Sequence, residues 1–239
     1  MKGRPALKVL LIIVVVLVVA GGGFFLYVWF SGGSGEPSGE TQAEAIAPVQ
    51  PQSVAYDVVA TESEARFVIE EVLRGQQNTV VGVTDQIDGS IAVQFEPAAV
   101  EIGEFVINVR TIQTDDEVRD RTIRTLILQS NRDEFEFARF RPTAIKGVPA
   151  TVELGDELAL EVTGDLTVRD VTTQSTFFMT VRLESESRIS GTATTTITWE
   201  ELDITIPYVG GNSIVASVAE SLDLEMDFVA LRREQEGES

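Results

Sequence analysis

Between Val54 and Arg232 apolar and polar residues alternate repeatedly at a period of two, the spacing that gives each face of a β-strand its own residue set. The run SLDLEMDFVAL shows it most clearly, with Leu222, Leu224, Met226 and Phe228 on one face and Asp223, Glu225 and Asp227 on the other. In ELALEVTGDLTV, Leu158, Leu160, Val162, Leu166 and Val168 fall together, with Gly164 among them. TFFMTVRLE aligns Phe177, Met179, Val181 and Leu183, GSIAVQF aligns Ile91, Val93 and Phe95, and EFVINVRT aligns Phe105, Ile107 and Val109. Turn formers separate these runs at Asp88-Gly89, Gly155-Asp156, Gly191 and Gly210-Gly211-Asn212. Long strands with one polar face and almost no helix between them predict an all-β domain over residues 53–232, an eight-stranded antiparallel up-and-down barrel. The lumen of such a barrel is either filled by side chains or wide enough for one ligand, and periodicity does not choose between them.

One stretch breaks the period. TDDEVRDRTIRTL, residues 114–126, packs three arginines and four acids into thirteen residues. Thr114 and Glu117 are spaced as a capping box, and Asp115 and Asp116 sit where a helix start favours negative charge. A helix from about Asp115 to Leu128, broken in its middle, follows. Val118, Thr122 and Leu126, and likewise Ile123 and Ile127, are four apart, so one side can bury. A single helix between barrel strands most naturally caps an open end.

Composition narrows the chemistry. The 239 residues contain no cysteine and no histidine. This excludes disulfides, thiolate nucleophiles, Cys/His zinc sites and imidazole acid–base catalysis. No calcium-loop pattern is present, so no metal site and no cofactor are expected. With 18 basic against 38 acidic residues, net −20, nucleic acid is not an expected partner. Carboxylate pairs remain, Glu200 with Glu201 and Asp115 with Asp116. Neighbouring acids on a strand face opposite ways, however, and those opening a helix serve its cap, so an enzyme is not expected.

The amino terminus reads differently. After the basic tail of residues 1–8, residues 9–30 (VLLIIVVVLVVAGGGFFLYVWF) carry no charge. At 1.5 Å per residue they exceed the ~30 Å of a bilayer core, and Tyr27 and Trp29 stand at the far end. Lys2, Arg4 and Lys8 precede the span. The expectation is an uncleaved signal-anchor, one transmembrane helix with a cytoplasmic N-terminus and an extracytoplasmic barrel at the cell membrane. Residues 31–52, rich in Gly, Ser, Pro and Glu, read as a flexible linker, and residues 233–239 as a disordered acidic tail.

At the charged insert the chain resembles the YceI-like family of polyisoprenoid-binding, lipocalin-like proteins. RDRTI, Arg119 to Ile123, stands at the family's Arg-Asp-x-His-Leu motif. FEFARFRP from Phe135 to Pro142, GDLTVRDVT from Gly164 to Thr172, LDITIP from Leu202 to Pro207 and the closing Phe228-Val229-Ala230 follow in the family's order. Two departures stand out. The motif histidine is Thr122, and the histidines near the family's first strand are absent from SEARF, Ser63 to Phe67. The resemblance implies a lipocalin-like barrel holding a long apolar molecule, typically an isoprenoid, under a short helical cap, with binding and not turnover as the activity.

On that basis the expected ligand-lining residues are Phe67, Ile69, Phe95, Phe105, Phe137, Leu166, Met179, Leu224 and Phe228, with Val118, Ile123 and Leu126 from the cap. Arg119, Arg124 and Thr122 are the expected contacts to a polar head. A lipid ligand, a membrane through residues 9–30 and a homodimer are the associations considered. The competing expectation is a structural or protein-interaction module with a packed barrel and an acidic working surface.

Overall fold

The computed structural model describes residue 37 and residues 41–46, 52–207 and 215–234. They form one antiparallel sheet of thirteen strands, strongly curled, with a single short α-helix. In chain order the strands are β1 (Val54–Val58), β2 (Glu64–Leu73), β3 (Gln76–Thr84), β4 (Ile87–Asp88), β5 (Ser90–Gln94), β6 (Ala99–Ile102) and β7 (Phe105–Asn108). After the helix α1 (Glu117–Thr122) come β8 (Phe137–Lys146), β9 (Glu157–Val168), β10 (Val171–Ser185), β11 (Arg188–Thr198), β12 (Val215–Val218) and β13 (Ser221–Arg232).

Thirteen strands replace the expected eight because bends cut long excursions into pieces. Gly89 alone separates β4 from β5, yet β4 pairs with β7 while β5 pairs with β6 and β1. A 3-10 turn at Ala60–Glu62 divides β1 from β2, and both lie along β13, through Tyr56–Val58 and Glu64–Val68 respectively. From β7 through β11 each strand pairs with the next, and β11 pairs with β13 over eleven residues. The final strand thus lies between β11 on one side and the first two strands on the other, which is the seam of the curl.

Alternation along the strands works out as the sequence predicts. On β9, Leu158, Leu160, Val162, Leu166 and Val168 are buried and the intervening charged residues Glu157, Glu161 and Asp165 are exposed. On β13 the acids face outward, where Arg66 of β2 meets Glu225 at 2.7 Å and Asp227 at 2.5 Å. Two carboxylates on one guanidinium hold the Arg66 pKa above its ordinary value.

Among the described residues no helix is long and apolar enough to cross a membrane, the helical elements being single short turns and α1. This corrects the expected single-pass membrane location. Residues 9–30 themselves lie outside the described residues. Within the expected linker, residues 41–46 contact the domain: the Ala43 amide donates to Asp88 at 2.7 Å and the Ile46 amide to Ser90 at 3.1 Å. Arg233, placed in the expected tail, donates to Asp57 and to the Ile46 carbonyl, each at 2.8 Å.

Candidate functional site

The curled sheet is packed at one end and hollow at the other. Toward the end formed by the start of β1 and the finish of β13, Tyr56, Ile91, Val93, Val181, Leu183 and Ile189 are fully buried against one another. Toward the end that carries α1, the inward faces surround a cavity of about 490 Å³. Phe105 forms the floor between the two halves, and Phe228 supports it from below, the two rings edge to face with centroids 6.1 Å apart. Phe228 fits because its strand neighbour is Gly191, where a Cβ would stand 2.5 Å from the ring. Gly89 makes the same allowance for Phe105, at 2.6 Å.

Higher up, Phe140 of β8 and Phe177 of β10 pack at 4.6 Å between centroids and face the cavity. Leu224 and Met226 also line it. They are only half-buried, whereas Leu222 and Phe228 on the same face of β13 are buried. Leu222, though buried, lines the cavity as well, whereas Phe228 does not.

The roof has two parts. The first is the insert after β7. Its helix is shorter than the spacing predicts, and its cap is shifted: Asp116, not Thr114, accepts the Arg119 amide, at 2.8 Å. Thr114 turns instead to Asp120, donating its hydroxyl at 2.6 Å and its amide at 2.8 Å. Beyond Thr122 the chain widens into a π-helical turn, Ile123–Ile127, closed by the Leu128 amide on the Ile123 carbonyl at 2.8 Å. A π turn adds a residue, so the facing set slips by one. Ile127 and Leu128 line the cavity with Val118, Arg119, Thr122 and Ile123, and Leu126 does not.

The second part of the roof is the segment after β11. The indole of Trp199 donates to the Ala219 carbonyl at 2.8 Å, and the Ile204 amide donates to the Trp199 carbonyl at 2.9 Å. This folds Leu202, Ile204 and Ile206 over the cavity. Arg169, in the turn between β9 and β10, joins the two parts. It donates to the Ile127 carbonyl at 3.1 Å and to the Asp203 carbonyl at 2.8 Å.

Of the twelve residues expected to line a lumen, Phe67, Ile69, Phe105, Val118, Ile123, Leu166, Met179 and Leu224 surround the cavity. Phe95, Leu126, Phe137 and Phe228 do not. Phe137 fails by parity: Ala138 and Phe140 face inward, so Phe137 shares the outer side with Arg139, whose guanidinium lies 5.7 Å from its ring. Phe95 follows β5 at the packed end, and Phe228 lies beneath the floor. Sequence reasoning missed Trp199 and the triplet Leu202, Ile204, Ile206, although its alternation was visible in LDITIP. It also missed Glu71, which the period of two puts on the inward face of β2 with Phe67, Ile69 and Leu73.

The expected head contacts separate. Arg119 stands in the cavity wall, paired with Asp115 and, at 3.4 Å, with Glu71. Thr122 also stands in the wall, but its hydroxyl donates to the Val118 carbonyl at 2.9 Å, back along the helix. Arg124 is not in the wall. Partial burial pushes its guanidinium pKa below the ordinary value, with Asp120 opposing, and among the described residues its Nε has no hydrogen-bond partner.

Three of the four acids considered for catalysis, Asp115, Asp116 and Glu201, are engaged locally. Asp115 pairs with Arg119, Asp116 caps α1, and Glu201 accepts the Thr198 amide at 2.7 Å and hydroxyl at 2.8 Å. Those two bonds hold the Glu201 carboxyl below the usual carboxylate range.

A strongly curled antiparallel sheet around an apolar cavity under a helical roof defines an all-β protein of half-barrel architecture. Residues 56–230 match the YceI-like domain, and the chain belongs to that family. Two solved structures share the fold. A polyisoprenoid binding domain from Saccharophagus degradans, implicated in plant cell wall breakdown, superposes with a TM-score of 0.55 at 15% identity, covering 75% of this chain and 99% of its own. Burkholderia cenocepacia BcnA gives 0.55 at 17% identity, covering 72% and 98% respectively. No curated protein matches the chain in sequence.

Proposed function

We propose that this protein binds a long apolar molecule, an isoprenoid or a comparable amphipathic lipid, in the cavity beneath α1 and does not turn it over. The observation that carries this is the unfilled upper half. A cavity of about 490 Å³ falls in the range of roughly 300–1,000 Å³ typical of ligand sites, and its walls are mainly aliphatic and aromatic. A protein interior packed only for stability leaves few voids larger than a water molecule, and the lower half of this same sheet is packed in that way. A module working only through its acidic surface has no need of the space. The polyisoprenoid-binding domain that shares the fold supports the same conclusion.

The energetics suit a carrier. Each buried methylene contributes about 0.8 kcal/mol, so roughly ten of them offset the several kcal/mol lost on association. The test is native mass spectrometry of the full chain after mild purification from a lipid-containing host. The expected spectrum shows protein plus a mass that organic solvent extracts. Ligand-free protein alone, even after incubation with an isoprenoid alcohol, would count against binding.

A further inference from the structure

We propose that the cavity takes a long apolar chain ending in an uncharged hydrogen-bond donor, in the simplest case an alcohol, and rejects the same chain ending in phosphate. The inference rests on the binding function proposed above and specifies the polar end of its ligand. It begins with Glu71, a carboxylate on the inward face of β2, only 9% exposed and part of the cavity wall. Asn78 donates to its Oε1 at 3.0 Å, and Arg119 reaches the same oxygen at 3.4 Å. Among the described residues none donates to Oε2, which remains an acceptor for a donor inside the cavity.

The positive groups nearby are already neutralised. Arg119 meets two carboxylates, Glu71 and Asp115, so that cluster carries one net negative charge. Arg66, which also borders the cavity, is held on the outer side of the sheet by Glu225 and Asp227. The Thr122 hydroxyl already donates to the Val118 carbonyl, and the Thr84 hydroxyl bonds that of Thr111 at 2.6 Å. Among the described residues the wall therefore offers no unpaired cation and at least one unused acceptor. A phosphate carries roughly −1.5 to −2 charges, and beside Glu71 it would meet a like charge in a poorly hydrated space. A hydroxyl there donates one bond and brings no charge.

The experiment uses the full chain stripped of lipid on a hydrophobic resin, with geranylgeraniol and geranylgeranyl monophosphate as probes. Trp199, in the cavity wall, supplies the fluorescence signal. The wild type is expected to bind the alcohol at least about tenfold more tightly than the phosphate. Glu71→Gln should shrink or reverse that ratio by removing the net negative charge of the cluster, Arg119 remaining paired with Asp115. Asp115→Asn should move it the same way from outside the cavity, since Asp115 is 82% exposed and its replacement leaves the wall intact. Equal or tighter binding of the phosphate by the wild type overturns the inference and leaves lipid binding standing, as does an unchanged ratio in both variants. Failure of the wild type to bind either probe overturns both.

Discussion

Replacing Arg110 by methionine is expected to lower the unfolding free energy by about 3–5 kcal/mol, because it strands a buried carboxylate. Glu136 is 0% exposed and Arg110 6%. Their ion pair, at 3.2 Å, is joined by Asn108, which donates to Glu136 at 2.8 Å. Arg110 also donates to the Ser130 carbonyl at 2.5 Å and to Asp133 at 2.9 Å. The network matters for position as well as stability. Arg110 precedes the roof insert and residues 130–136 follow it, so one guanidinium ties together both ends of the segment that carries α1. Urea denaturation should show a lower midpoint with an unchanged slope. The double variant Arg110→Met with Glu136→Leu should recover much of the loss, since no charge is then left unpaired. A single variant within about 0.5 kcal/mol of wild type, the range of ordinary surface changes, would mean that the pair does not anchor the insert.

The second large effect separates the hollow half from the packed half. Ala193 lies in the cavity wall on β11, paired across strands with Met179 and Met226. Ala193→Phe puts a ring into the void and should remove at least about nine-tenths of the bound lipid, a loss of roughly 1.4 kcal/mol or more in affinity. Stability of the ligand-free protein should hold or rise, because the added ring fills space instead of displacing neighbours. Phe228→Ala should do the opposite. Phe228 is 2% exposed, edge to face against Phe105 and absent from the cavity wall, so its loss should cost about 3–5 kcal/mol while the molecules that remain folded keep their lipid. Native mass spectrometry and thermal melts of both variants provide the comparison. Full lipid content in Ala193→Phe would show that the ligand does not occupy this cavity.

Most of the strand architecture was legible in the chain. The face that each residue presents on β9 and β13 follows from alternation alone, because successive side chains on a strand must point to opposite sides. The roof insert was legible as the one helical interruption, since its charge pattern and its i,i+4 spacing fit no strand. The failures have particular causes. Phe137 was assigned to the wrong face because the start of β8 sets the parity, and a shift of one residue reverses every side chain. Leu126 was misplaced because the π turn at Ile123–Ile127 moves the facing set by one, which a 3.6-residue period cannot show. Glu71 was overlooked although its parity was plain, since a carboxylate on an inward face looks out of place until Asn78 and Arg119 are brought against it.

The sequence by itself determined an all-β chain, the inward and outward sets of its longest strands, the position of the helical part of the roof and the exclusion of thiol and imidazole chemistry. Only the tertiary structure decided that the interior is packed below Phe105 and Phe228 and open above them, and that Arg119 is spent on Asp115 and Glu71. The physical reason is one of range. The direction of a side chain is set by its own strand and neighbours, within a few residues of sequence. A void is the volume left over when strands far apart in the chain close around it, and the charge at its wall depends on partners 48 residues apart, as Glu71 and Arg119 are.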